Sequence, residues 1–331
     1  MNKEQGSDQM ITLCCFPEIL ISHLSILILA FVLDLVGEPP QSIHPTVLMG
    51  KLAERLTKKI LNLRSHQRLL GFLLTTTVVI LATGSALLLL EVTKSVLGQL
   101  AYIILGGLIL KTSFAIKSMD AHARPIEDAL ISKDLPRARE LLSRIVRRDT
   151  TNLDEGLCAS ATIESIAEGT VDGIVSPLFY FFLFGVAGAI AFRAINTLDS
   201  TVGYKDQTHA QIGWFSARSD TVANYIPARL TAIIMIFAAA ILGRDWHSAV
   251  STLRKEHGRT ESLNAGWPMS AMAGSLGITL EKLGSYLLGE GLRVPSPKDI
   301  SSALQMMCTV TMIFSTIAVL PYSIFFCSLA S

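Results

Sequence analysis

The sequence predicts an all-α, polytopic integral membrane protein with about five to six hydrophobic segments, some of them re-entrant, joined by polar cytoplasmic loops. Three observations carry this expectation. The 331 residues are 50% hydrophobic and only 17% charged, with a mean hydropathy of +0.47, too apolar for an ordinary soluble globule. Residues 69–90 run 22 positions without a charge, about 33 Å as a helix and enough to cross a hydrocarbon core of about 30 Å. The sequence on either side of the apolar stretch 69–110 is cationic. Before it Lys51, Arg55, Lys58, Lys59, Arg64 and Arg68 stand against the single acid Glu54, and over 111–149 nine Lys or Arg stand against six acids. The positive-inside rule makes both flanks cytoplasmic, with two crossings between them.

Composition also excludes classes. A net charge of +1 lacks the basic stripe of a nucleic-acid binder. The cysteines Cys14, Cys15, Cys158, Cys308 and Cys327 form no CxxC pair and have no histidine at zinc-ligand spacing, so they read as packing residues. The first seventeen residues mix Lys3 with Glu4 and Asp8 and lack the start and cleavage site of a signal peptide, so the first apolar segment is expected to be retained. No internal repeat or low-complexity linker divides the chain, which reads as one domain over 1–331.

The first segment, 19–36, is interrupted by Asp34 and exits into a stretch where Gly37, Pro39, Pro40 and Pro45 forbid regular helix. His44 among them reads either as a loop histidine held by backbone contacts or as a substrate ligand. After 69–90 a break is expected at 91–94, then a third segment over 96–110. Its GGLILKT has Leu110 where a phosphate-binding loop needs glycine, so that motif is rejected. In 111–149, Asp134 can cap a helix with Pro136 in its first turn.

The chemical density lies further on. Thr151 and Asp154 form a capping-box pattern and Gly169 is placed as a stop, so 152–168 is expected to be a helix. Glu164 and Glu168 share one face of it, and Asp172 follows one turn later, beyond the glycine. Set among alanines and isoleucines, these carboxylates need a neutralising cation. Mg²⁺ arriving with a nucleotide phosphate, or an amine substrate, would supply it; so would internal ion pairs with the basic 137–148 stretch. Segments 174–192, broken by Pro177, Gly185 and Gly188, and 225–243, opening with Pro227 and Arg229, enclose a second polar block containing Asn196, Asp199, Lys205, Arg218, Asp220 and Asn224. A charge at the bilayer centre costs about 2.5–3.5 kcal/mol, and irregular backbone is tolerated there only where it lines a cavity. A pair of broken or re-entrant segments, keeping both polar blocks on the cytoplasmic side, satisfies both conditions. Residues 244–302 are polar and contain NAGWPMSAMAGSLG at 264–277, the texture of a tight loop entering a closely packed helix. A last apolar segment covers 301–330.

Together and in order, DLVGEP, IHPTVLMG, IVRRDT, ESIAEGTVDGIVSPLFY, INTLDSTVGYK, SARSDTVANYIPARLTA and NAGWPMSAMAGSLG, over about 34–290, resemble the adenosylcobinamide-phosphate synthase family of cobalamin biosynthesis, CobD/CbiB. The resemblance implies a multi-pass cell-membrane ligase with its site on the cytoplasmic side. It would join an aminopropanol phosphate, or a related amino alcohol, to the free carboxylate of the corrinoid adenosylcobyric acid, with ATP and Mg²⁺ consumed or carried as co-substrate and no tightly bound metal. Other late corrinoid-pathway enzymes are implied partners. Catalytic residues carried over are Asp149, Glu164, Glu168, Asp172, Asp199, Lys205 and Asp220. His44, Arg148, Asn196, Arg218, Asn224, Arg229 and Asn264 are implied to bind substrate, and Glu164, Glu168 and Asp172 to meet Mg²⁺.

The chain departs from the family pattern at Glu38, Arg147, Gly169, Thr221 and Leu263, where Asp, Gly, Asn, Asp and Pro are usual. The loss of an amide at 169 and of a carboxylate at 221 matters most. Two readings of another class remain open at this stage: a transporter or channel with an intramembrane carboxylate path, which predicts related halves that the sequence lacks, and a noncatalytic membrane sensor on the same fold.

Overall fold

A computed structural model of the chain describes residues 4–40, 42, 44–63, 66–203 and 210–330, with side chains from 20 to 61 and from 66 to 320 within those ranges. Every apolar segment of the sequence lies in a helix. In chain order these are α1 (Glu4–Val36), α2 (Pro45–Leu63), α3 (Gln67–Lys111), α4 (Ile116–Ile131), α5 (Leu135–Leu142), α6 (Glu155–Thr170), a π-helical turn (Val171–Val175), α7 (Ser176–Val202), α8 (Trp214–Ala223), α9 (Tyr225–Ile241), α10 (Trp246–Glu256), α11 (Gly266–Leu276) and α12 (Lys298–Ala330). A two-stranded antiparallel hairpin, β1 (Leu280–Lys282) with β2 (Tyr286–Leu288), pairs Leu280 with Leu288. Three helical stretches, Gln67–Ile131, Glu155–Val202 and Lys298–Leu320, are long and apolar enough to cross a membrane, and the bent pair α8–α9 makes a fourth if counted as one span. The fold is that of a polytopic all-α membrane protein.

Two of the long helices fold back on themselves. In α3 the interruption is at Gly98, with φ 82° and ψ −177°, a conformation that side chains with a Cβ avoid. The expected break at 91–94 is therefore misplaced: Glu91 and Lys94 continue the helix, and only the glycine can make the reversal. Beyond it Ile109 lines the same groove as Ala82 and Ser85 of the first arm. In α7 the interruption is at Phe184–Gly185, where Gly185 has φ 66°. The returning arm stacks Phe192 on Tyr180, ring centroids 5.4 Å apart, and a Cβ on Gly188 would lie 2.3 Å from the Tyr180 carbonyl oxygen. α7 is thus a helical hairpin, and its two ends meet: the start, at Ser176, and Asn196 near the end both reach α8 and the residue after it.

α6 is the central helix. Cys158, Ala159, Ala161, Ile163, Ile166 and Ala167 are fully buried, and these mostly small side chains let α4, α5, α11, α12 and β1 approach it closely. Its cap differs from the expected capping box. Asp154 accepts from the Leu157 N–H at 2.8 Å, whereas the Thr151 hydroxyl turns back to Asp149 at 2.6 Å. Nor does Gly169 stop the helix: the chain runs through the π turn directly into α7. The expected α5 cap is present, Asp134 accepting from Arg137 N–H with Pro136 in the first turn. The 264–277 segment enters α11, closed by Gly277 in the left-handed region.

Candidate functional site

Folding back α7 brings the two polar blocks together. Glu168 lies in the last turn of α6, Asp172 in the π turn, Asp199 near the end of α7 and Asp220 near the end of α8, and all four line one cavity of about 380 Å³. Arg218, Asn224, Thr221 and Asn264 share its wall with the 261–265 loop. Single π turns inside helices are rare and widen the helix locally; this one carries Asp172, on which Asp220, Glu168 and Asp199 act electrostatically, with Arg193 opposing them.

A hydrogen-bond network fixes the wall. Asp220 Oδ1 accepts from Asn196 Nδ2 at 3.2 Å and its Oδ2 from Asn224 Nδ2 at 3.1 Å. Asn224 Oδ1 in turn accepts from the Ser176 hydroxyl at 2.6 Å, which ties α8 to the head of the α7 hairpin. Asn264 donates to the Thr221 carbonyl at 2.9 Å and accepts from Arg229 at 3.2 Å. Arg229 is held between rings, its guanidinium carbon 3.4 Å from the Tyr225 centroid and 4.7 Å from that of Trp267. Arg229 therefore braces the wall from behind, while Arg218 stands exposed at the cavity itself.

Other sequence-derived candidates lie elsewhere. Glu164 is buried and turned away: its Oε2 accepts from Arg148 at 3.0 Å and from the Tyr286 hydroxyl at 2.8 Å, and its Oε1 from Ser160 at 2.8 Å. Burial first and the Glu164 charge second push the Tyr286 phenol up, so it stays a donor. Asp149 lines a separate surface hollow with Arg139, Arg148 and Thr150, its carboxyl held low by the Thr151 hydroxyl and N–H. His44 sits 3.2 Å from Glu38, and Glu38 also meets Lys111 at 2.8 Å, while Lys111 lies 2.9 Å from Asp34. Burial raises the Glu38 carboxyl, but the bonds from His44 and Lys111 outweigh it and leave Glu38 below its ordinary value. Lys205 lies outside the described residues.

Sequence reasoning passed over Arg193. Its Nη1 reaches Asn196 Oδ1 at 3.4 Å, its Nε is buried without an acceptor among the described residues, and its charge acts on both Asp172 and Glu38. A lone arginine inside the apolar run AIAFRAI was the available signal. Glu261 and Ser262, which line the cavity, had no such signal. Two departures from the family pattern separate here. A Cβ on Gly169 would lie 2.2 Å from Met119 Cε, so position 169 faces α4 and not the cavity. Thr221 does line the cavity, and a carboxylate is missing there.

The comparisons with known proteins agree with one another. The family described as CobD/Cbib protein matches residues 27–307. A probable cobalamin biosynthesis protein CobD of Thermoplasma acidophilum is 41% identical over 89% of this chain and 96% of its own length. Another, of Methanothermobacter thermautotrophicus, is 36% identical over 90% of the chain and 97% of its own length, and the cobalamin biosynthesis protein CobD of Dehalococcoides mccartyi is 37% identical over 89% and 96%. No solved structure matches. With most of its length matched on every side, this chain belongs to the CobD/Cbib protein family and has its role in cobalamin biosynthesis.

Proposed function

We propose that the chain is an adenosylcobinamide-phosphate synthase, an ATP-dependent ligase that joins an aminopropanol phosphate or related amino alcohol to the free carboxylate of adenosylcobyric acid. The observation that supports it is the convergence of Glu168, Asp172, Asp199 and Asp220 on one cavity with Arg218 in its wall. Such a wall attracts an ammonium group and repels a bare carboxylate, so the corrinoid acid needs activation before the amine can attack it. In the proposed sequence the acid takes the terminal phosphoryl group of ATP, giving an acyl phosphate and ADP. A pocket carboxylate removes a proton from the ammonium, the freed nitrogen forms a bond to the acyl carbon, and the carbon–oxygen bond to phosphate breaks. Phosphate departs with that electron pair, and the second nitrogen proton passes to a carboxylate or to water.

Arg218, a fixed positive charge beside these acids, suits the phosphate of either substrate. Among the described residues no three His, Cys, Asp or Glu side chains form a metal-binding group, and Glu164 is committed to Arg148. Mg²⁺ held by Glu168 and Asp172 would therefore complete its shell with phosphate oxygens and water, the usual habit of this ion; there it would neutralise phosphate charge. The proposed location is the cell membrane, with the cavity opening to the cytoplasm.

Purified protein incubated with adenosylcobyric acid, Mg-ATP and a panel of amino alcohols, with and without phosphate, tests the reading by mass spectrometry. A corrinoid heavier by one amine less water, with ADP formed only when both substrates are present, is expected. Folded protein that yields no new corrinoid with any amine would overturn the assignment.

A further inference from the structure

α2 carries more positive charge than its surroundings balance. One face is packed: Ala53 and Thr57 are buried, and Leu56 and Ile60 join Leu74, Val78, Leu198 and Val202 in a small core of their own. The other face exposes Lys51, Arg55, Lys58 and Lys59 with Glu54 alone opposing them. Among the described residues none of the four cations has a hydrogen bond or ion pair. α5 behaves differently: Arg137 and Arg144 both close on Glu140, at 2.6 and 2.7 Å. Among the described residues nothing balances the cations of α2.

Beside them lies a groove. About 370 Å³ in volume, it runs between Leu48, Met49 and Leu52 of α2, Val78 to Leu89 of α3, and Ile190 of α7. Leu48 and Leu52 are 50% and 38% exposed, so the groove opens outward. At 100° per residue Leu48, Leu52, Arg55 and Lys59 fall in one stripe of α2, apolar where it meets the groove and cationic one to two turns later. From Val78 to Leu89 the α3 wall is about 16 Å long, close to half of a hydrocarbon core of about 30 Å. An apolar slot one leaflet deep, with unpaired cations beside its shallow end, matches one acyl chain and an acidic headgroup.

We propose that this groove is a binding site for one anionic phospholipid of the surrounding bilayer, its acyl chain against Leu52, Ala82 and Ala86 and its headgroup phosphate on Arg55 and Lys59. The site is independent of the ligase assignment. Occupancy covers an apolar surface shared by α2, both arms of α3 and α7, and so steadies α2 against the α7 hairpin that forms the cavity wall.

Native mass spectrometry of the full chain, released from detergent containing equal phosphatidylglycerol and phosphatidylcholine, reads the site directly. Preferential retention of one phosphatidylglycerol is expected. Arg55→Gln with Lys59→Gln should lower that preference about tenfold or more, Ala82→Phe should block retention by filling the slot, and Arg144→Gln on α5 should change nothing. Circular dichroism checks that each variant is folded, and Leu52→Phe replaces Ala82→Phe if the latter is not. Equal retention of the two lipids would overturn the proposal. So would loss in the charge variant without loss on filling the slot, which is headgroup attraction to the helix surface alone, or a dimer mass insensitive to the lipid, which places a second copy of the chain in the groove.

Discussion

Glu164 and Glu168 are four residues apart on one face of one helix, yet they meet opposite environments. Arg148, Ser160 and Tyr286 close around Glu164, and Glu168 opens into the cavity. Glu168→Gln should therefore reduce ligation at least about a hundredfold with the melting temperature in detergent unchanged; near-normal turnover would remove Glu168 from the site. Glu164→Ala leaves Arg148 without its carboxylate and should cost about 3 kcal/mol of stability, seen as a lowered melting temperature. Helical spacing placed both glutamates on one face. It could not tell them apart, because the difference comes from Arg148, 16 positions before Glu164, and from Tyr286, 122 positions after it. The same limit applies to Asp149 and Arg148, close in sequence to the site residues but turned to another surface.

Among the elements, α8 lines the cavity most, with Ala217, Arg218, Asp220 and Thr221, but the α7 hairpin brings the two polar blocks together. Pro177, Gly185 and Gly188 disclosed in the sequence that this segment is not a straight helix, and the need to shelter the 196–224 block suggested that it turns back. The position of the turn followed from the positive φ of Gly185. In α3 the charges at 91 and 94 were the more conspicuous signal, but a helix near a membrane boundary carries charged side chains without breaking, and the reversal falls on Gly98, the glycine with positive φ. The π turn was not legible at all, since no residue type specifies it. Gly188→Val places a Cβ against the Tyr180 carbonyl and should destabilise the hairpin by about 3 kcal/mol. Thermal denaturation in detergent measures the loss, and a wild-type melting temperature would show that the two arms can separate cheaply.

For the molecule as a whole, one cavity receives residues from the end of α6, the π turn, the tail of α7, α8 and the loop before α11. Residues of 168–172, 199–203, 217–224 and 261–265 therefore share one opening, which predicts a single side of the membrane for all of them. Single cysteines at Lys205 and at Ser262, introduced after replacement of the native cysteines, should both resist an impermeant thiol reagent applied outside intact cells and react once the membrane is opened. Labelling of Ser262 from outside would place the cavity on the external face. Fold class and family were readable from apolar run lengths and ordered sequence blocks. The joining of two distant polar blocks into one cavity depended on the reversal of α7, a single backbone event.

That reversal also bears on the electrochemical gradient a cell maintains. Carboxylates at the edge of a bilayer can begin a proton wire, and a wire needs polar groups all the way across. Between its cavity end, at Ser176 and Asn196, and its turn at Gly185 the hairpin places Tyr180 against Phe192, Phe181 against Phe182, and Phe182 against Phe314, with the Tyr180 hydroxyl already donating to the Ala223 carbonyl. That stretch of the hairpin holds rings and no carboxylate. The hairpin thus carries no relay of acids from the cavity to its turn.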